Sequence, residues 1–160
     1  MPRNSPSVKV VQVTVPTDNR IILYKPFCDS LPWLAGKEVE AWLYLVEPGR
    51  YRLLSEEDVE RDPELNPIRT AILQDKSIAP PYPSHAAHIR DAAMRVRLAQ
   101  VRVDFHNGSS RILFPEELAA LAPRDCDPRD LSILMPEGYL EIWYSDVLLQ
   151  AADRPWRGAR

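Results

Sequence analysis

One order of landmarks occurs twice in this chain, at a spacing of 88 to 91 residues, and no other feature limits its possible folds as much. Gln12-Val13-Thr14-Val15 returns as Gln100-Val101-Arg102-Val103, and Arg20-Ile21-Ile22-Leu23 returns as Arg111-Ile112-Leu113-Phe114. The glycine turn Glu47-Pro48-Gly49 is answered by Pro136-Glu137-Gly138, and Ser55 by Ser145, each serine placed to cap a final helix. The drifting offset means that small insertions separate the copies. A unit repeated in tandem predicts a pseudo-symmetric protein made of two similar halves.

Each half reads as strand-rich. Val8 to Val15 is β-branched, with Val11, Val13 and Val15 alternating against Gln12 and Thr14, the pattern of a half-buried strand. Pro16 to Asn19 supplies a turn and Arg20 to Tyr24 the returning strand. Pro26 to Ala35 has room for a helical turn or two before Gly36. Glu40–Val46 and Tyr51–Leu54 form a second hairpin, and Ser55-Glu56-Glu57-Asp58 opens a capped helix with acids in its first turn. Sixteen prolines, twice the average usage of roughly 5%, favour short elements over a bundle of long helices. Five of them fall in residues 62–83, which read as a linker holding one short helix. Ser84 caps the next helix, residues 85–100, with Ile89, Ala93 and Val96 on one face and an Asp91–Arg95 pair. That helix runs into a strand at Val101–Phe105. The organisation is a flexible arm (1–7), a first unit (8–62), a proline-rich linker (63–83), a helix with the second unit (84–153), and a basic tail (154–160).

Composition removes several function classes. With 160 residues, 45% of them hydrophobic, the chain suits one compact domain or two interlocked halves. A net charge of −3 gives the whole molecule no general pull on nucleic acid. Cys28 and Cys126 lack metal-type spacing and read as reduced, packed thiols. No apolar run approaches the roughly 20 residues of a membrane span, and the first residues lack the hydrophobic region of a signal peptide. A soluble, cytoplasmic protein is expected, with association to the nucleoid open to it. His85, His88 and Asp91 share a helix face but lack a fourth ligand, so solvated histidines are favoured over a metal site. No cofactor is implied. No serine or cysteine has an arranged His/Asp partner, so no catalytic residue is assigned. Trp33, Trp42 and Trp143 read as core, whereas Trp156 belongs to a basic, aromatic tail that either docks on a partner or stays unstructured.

Asn107-Gly108 is the strongest hairpin signal, because a type I′ turn needs positive φ at both central residues. With that pair at the tip, His106 faces Ser109, Phe105 faces Ser110 and Asp104 faces Arg111. An Asp104–Arg111 pair stabilises by roughly 0.2–1 kcal/mol, so locking the hairpin is one sufficient role for Arg111. The other is recognition: a guanidinium beside the Ser109 and Ser110 hydroxyls suits phosphate or guanine contacts. Charge is split in both copies. Residues 84–114 have five Arg against two Asp, and residues 115–153 two Arg against nine acids, a net of −7. Residues 1–36 carry a net of +2 and residues 37–66 a net of −5. A basic face on an acidic protein binds a phosphate backbone while the rest sets orientation.

Asn107-Gly-Ser-Ser-Arg111-Ile-Leu-Phe-Pro115-Glu-Glu-Leu resembles the DxxxR and arginine–aliphatic–x–x–proline signature of MraZ- and AbrB-type swapped-hairpin transcription regulators (the SpoVT-AbrB domain). Leu140-Glu141-Ile142-Trp143 is similar to the MraZ strand that ends in an aromatic, and tandem units resemble the MraZ plan more than single-unit AbrB proteins. The match covers Asn107, Arg111 and Pro115, and to a lesser degree Arg20. Asn107 stands where the motif has aspartate, Pro16 takes that place in the first unit, and Ser110 and Asn19 replace the usual glycine. The resemblance implies a mostly β fold with short α-helices, two tandem swapped-hairpin units forming a pseudo-symmetric, β-barrel-like domain. It implies a DNA-binding transcriptional regulator that contacts double-stranded DNA through arginine-bearing hairpins, at Arg20, Arg111 and Asn107; the hairpin hydroxyls and the basic face add Ser109, Ser110 and Arg102 to the expected contacts, and no enzyme is expected. It also implies a homo-oligomer, with a ring as one form it takes in that family. The alternative is a non-catalytic assembly or protein-interaction module that kept the fold and lost the DNA site.

Overall fold

The computed structural model describes residues 9–77, 97–119 and 122–153. The expected arm at 1–7, most of the expected helix at 85–100 and the tail at 154–160 lie outside the described residues. The elements run β1 (Val11–Thr14), β2 (Arg20–Ile22), α1 (Lys25–Asp29), β3 (Val39–Glu47), β4 (Arg50–Ser55), α2 (Glu56–Arg61) and α3 (Leu65–Ser77). They continue as β5 (Leu98–His106), β6 (Ser109–Leu113), α4 (Glu116–Ala119), β7 (Asp130–Leu134), β8 (Glu141–Tyr144) and α5 (Ser145–Asp153).

All strand pairs are antiparallel, and the eight strands follow the order β1-β7-β8-β4-β3-β5-β6-β2. β1 and β2 stand at opposite ends of that order, yet the short turn at Pro16–Asn19 joins them, so the sheet curls into a nearly closed barrel. The Val15 amide donates to the Arg129 carbonyl at 2.7 Å and the Phe114 amide to the Asn19 carbonyl at 2.9 Å, which extends the β1–β7 and β2–β6 ladders by one step on either side of that turn. The mostly β expectation with short helices therefore holds.

Strand alternation sends one side of each strand inward. Ile21, Leu43, Tyr51, Leu53, Val103, Ile112, Leu131, Ile142 and Tyr144 make one interior cluster. Each fully buried aliphatic or aromatic side chain of this size contributes about 1.5–3 kcal/mol. Cys28 and Cys126 are buried, free thiols, as their spacing suggests. Trp42 and Trp143 are buried too, but they point outward from the barrel wall. Trp42, Leu54 and Leu98 form a second cluster that α2 and α3 cover with Val59, Leu65, Ile68, Ile72 and Leu73.

Two expectations need correction here. Residues 65–77, read as proline-rich linker with a short helix, are a continuous 13-residue helix packed on the barrel. Pro67 does not interrupt it, because first-turn N–H groups have no intrahelical acceptor to lose. Asp62 instead accepts from the Glu64 and Leu65 amides at 2.8 and 3.1 Å. Residues 98–100, read as the end of a helix, begin β5, where pairing with β3 overrides local helix preference.

Local signals elsewhere hold. Ser55 caps α2, its Oγ accepting from the Asp58 amide at 3.0 Å. Ser145 acts differently: its Oγ donates to Asp130 Oδ1 at 2.8 Å and lies 2.7 Å from Ser132 Oγ. Gly49, in the β3–β4 turn, has φ +87°, and a Cβ there would lie 2.6 Å from Val147 Cγ2 on α5. Only glycine lets that turn approach the helix.

Across the β4–β8 pair, Glu141 is fully buried on the outer wall. It accepts from Arg50 Nε (2.9 Å) and Nη2 (3.0 Å), from Arg52 Nε (2.9 Å) and Nη2 (2.7 Å), and from Trp143 Nε1 (2.9 Å). Arg50 lies over the Trp143 ring and Arg52 over Tyr139, each 4.8 Å from the ring centre. Burial alone raises the Glu141 carboxyl, but the two guanidiniums outweigh it and hold the group below the usual carboxylate range.

Candidate functional site

Asn107 (φ 51°) and Gly108 (φ 80°) both occupy the left-handed region, the requirement of a type I′ turn. The β5–β6 register is the one expected: Asp104 opposite Arg111, Phe105 opposite Ser110, His106 opposite Ser109. Alternation then divides β6. Ser110 and Ile112 point into the barrel, and Ser109, Arg111 and Leu113 point out. Ser110 is 3% exposed and hydrogen-bonded with the buried Cys28 thiol, which burial pushes up in pKa. Its expected place among surface DNA contacts is therefore corrected: it is a core hydroxyl.

β2 extends this outer face. Its register sets Arg20 opposite Leu113, Ile21 opposite Ile112 and Ile22 opposite Arg111. Ile21 and Ile112 are interior, so Arg20, Ile22, Arg111 and Leu113 make an outward quartet in which each arginine faces an aliphatic side chain. Ile22 and Leu113 are each 53% exposed. β5 adds Arg102, Asp104 and the exposed His106 to the same side. Of the expected site residues, Arg20, Arg102, Arg111 and Ser109 are thus brought together, and Asn107 stands at the tip beside them.

The ion pairs differ from the simple cross-strand picture. Asp104 faces Arg111 in register, but its carboxylate pairs with Arg20 Nη1 and with Arg102 Nε, both at 3.5 Å. Arg102 also meets Glu40 at 2.9 Å and Glu38 at 3.5 Å, and Arg20 meets Asp18 at 3.9 Å. Arg111 Nε is buried and has no hydrogen-bond partner, and among the described residues no ion pair includes Arg111. The expected Asp104–Arg111 ion pair is corrected accordingly. A cleft of about 480 Å³, lined by Asn19, Arg20, Gln100, Arg102, Asp104 and Glu116 among others, opens beside this face.

Sequence reading missed Asp18, Glu38 and Glu40 as counter-ions. Glu38 and Glu40 come from the β3 end, brought alongside β5 by a pairing of Val39 with Val103. The alternation Glu38-Val39-Glu40 marks an edge with two outward acids, but nothing local says which strand lies beside it. Such exposed pairs are worth about 0–1 kcal/mol each, weak enough for an incoming phosphate to rearrange.

No group of three or more His, Cys, Asp or Glu side chains among the described residues is placed to hold a metal. His85, His88 and Asp91 lie outside the described residues. No helix among the described residues is long and apolar enough to cross a membrane. No family model matches the sequence, and no curated protein matches it.

Proposed function

We propose that the protein is a DNA-binding transcriptional regulator of the MraZ/AbrB swapped-hairpin type, which approaches double-stranded DNA with the outer face of β5, β6 and β2. The observation that carries this reading is the symmetry of the strand pairings. Exchanging β1 with β5, β2 with β6, β3 with β7 and β4 with β8 turns the pairs β1–β7, β7–β8, β4–β8 and β2–β6 into β3–β5, β3–β4, β4–β8 and β2–β6, all of which occur; only β5–β6 has no paired counterpart, since β1 and β2 stand at the two ends of the order. β1 pairs with a strand of the second half and β5 with a strand of the first, the interlocking that the resemblance implies. The exchange also carries Arg20 onto Arg111, since Arg20–Leu113 and Ile22–Arg111 are the same step read from either strand. Two arginines related in this way, flanked by Ser109, Asn107 and Arg102, suit two phosphates or a phosphate and a guanine edge. Assembly into a closed homo-oligomer belongs to the same reading.

Titration of labelled random-sequence duplex by fluorescence anisotropy at low and high salt tests it. Salt-sensitive binding, weakened by Arg111→Ala, is the expected result. Wild-type protein indifferent to DNA at low salt sinks the proposal.

A second reading is favoured by one observation. Arg102 and Arg20 already face five carboxylate contacts between them, while Ile22 and Leu113 stand open. A face with neutralised charge and exposed aliphatic side chains suits a protein partner, the role of a non-catalytic assembly module. Capture of a protein partner that Leu113→Glu abolishes, together with DNA indifference, selects this reading.

A further inference from the structure

Among the described residues, α3 has no counterpart on the second half, and its equivalent place there is an apolar groove. Trp42 pairs with Gln100 and Leu54, and Ser132 pairs with Gln12 and Trp143, so these positions coincide when the halves are exchanged. Leu98 then corresponds to Val10, Tyr44 to Leu134 and Leu54 to Trp143. Val59 on α2 and Leu149 on α5 correspond as well, each four residues after the matching serines Ser55 and Ser145. The second set lines a groove of about 1110 Å³ beside α5.

Apolar character is kept at these positions, while burial is not. On the first half α3 packs Leu65, Ile68, Ile72 and Leu73 over the set, and Val59 and Leu98 are 0% and 2% exposed. Their counterparts Leu149 and Val10 are 62% and 45% exposed. A single exposed aliphatic residue needs no explanation, but a contiguous apolar groove marks an interaction site. Its charged lining residues, Arg50 and Glu137, pair with each other at 3.7 Å, so the groove selects by apolar shape.

We propose that this groove docks an amphipathic helix of a partner protein, seated as α3 is seated on the first half. α3 shows which shape fits such a site: Leu65, Ile68, Ile72 and Leu73, at i, i+3, i+7 and i+8, share one helical face. The partner helix presents aliphatic side chains at that spacing. A second copy of this chain is a poor donor. Among the described residues only α3 and α5 are long enough for the spacing. α3 is packed on its own barrel, and Leu148 and Leu149 of α5 are the groove wall itself. Docking here does not require that the β5–β6–β2 face bind DNA.

The probe is a fluorescent synthetic peptide of residues 65–77, stapled on its polar face because a 13-residue helix is marginal alone. Anisotropy with the full-length protein is expected to show saturable binding, and peptide carrying Ile72→Glu is expected to show none. Leu149→Arg and Val10→Glu proteins, altered at exposed positions, are expected to keep wild-type circular dichroism. They are expected to bind at least about tenfold more weakly, because a charge then opposes an apolar face. If one of them fails to fold, the other carries the same test. Ile22→Glu, on the β2 face, is expected to bind like wild type. No binding by wild type overturns the proposal. Equal binding by wild type, Leu149→Arg and Val10→Glu also overturns it, since the peptide then sits elsewhere. So does a wild-type oligomer that Leu149→Arg breaks into monomers, since a second copy then fills the groove.

Discussion

The Asp104 carboxylate reaches across β6 to Arg20, 3.5 Å from its Nη1, although Asp104 stands opposite Arg111 in the strand register. One acid thereby links β5 to β2 over the intervening strand, and it touches Arg102 on the way. With Asp18, Glu38 and Glu40, that residue offsets the positive charge of the face proposed for DNA. Asp104→Asn is expected to raise affinity for duplex DNA and to steepen its salt dependence, because two guanidiniums lose a shared competitor for phosphate. Stability should change by no more than about 1 kcal/mol, since the ion pairs removed are solvent-exposed. Anisotropy titrations beside thermal melts separate the two effects, and unchanged or weaker DNA binding counts against the assignment of this face.

Arg111 is set apart by its missing partners. A buried, unsatisfied donor costs about 1–3 kcal/mol, and Arg111 Nε is such a donor. Arg111→Met is therefore expected to leave the protein as stable as wild type or more so in urea melts. The same variant should lose about 1–3 kcal/mol of DNA affinity. Loss of stability without loss of binding would assign Arg111 to the hairpin alone.

Glu141 should be the most costly acid to remove. Glu141→Ala removes the buried partner of Arg50 and Arg52 and leaves them only the exposed carboxylates of Glu47 and Glu137; breaking a buried pair in this way costs about 3–5 kcal/mol. The folded-state pKa of Glu141 lies below its unfolded value. Its contribution is thus fully present above the ordinary glutamate pKa of about 4.3 and is lost as pH falls through the lower folded value. Urea melts taken downward through that window should show wild-type stability converging on that of Glu141→Gln. Parallel curves would mean that Glu141 is not the acid-sensitive group.

The two turn glycines should respond differently to alanine. Gly49 and Gly108 both have positive φ, but an added Cβ at Gly108 meets nothing within 4 Å, while at Gly49 it meets Val147. Gly108→Ala is expected to cost about 1 kcal/mol, from backbone strain alone. Gly49→Ala should cost more, and Val147→Ala should recover part of the difference. Chemical denaturation of the three variants checks this.

Some of this protein was determined by residues acting on their immediate neighbours. Asn107-Gly108 needs positive φ wherever it is placed, so the hairpin and its register were legible in the chain. Ser55 caps α2 because its hydroxyl meets an amide three residues on. Alternation in β6 sorts its residues between core and surface, although reading the hairpin as a tip left Ser110 on the wrong side. The tertiary structure decided what no local pattern encodes. Arg102 meets Glu40 across 62 positions of sequence, and Arg50 meets Glu141 across 91, through strand pairings that form only when the barrel closes. Pro67 looked like a breaker, but packing on Trp42 and Leu98 and its place in a first turn made room for α3. The repeat of landmarks also says nothing of coverage: α3 packs on Trp42, Leu54 and Leu98, while among the described residues Leu134 and Trp143 line a groove beside α5. Which surface is covered depends on elements meeting in space, and that is settled by packing, not by propensity.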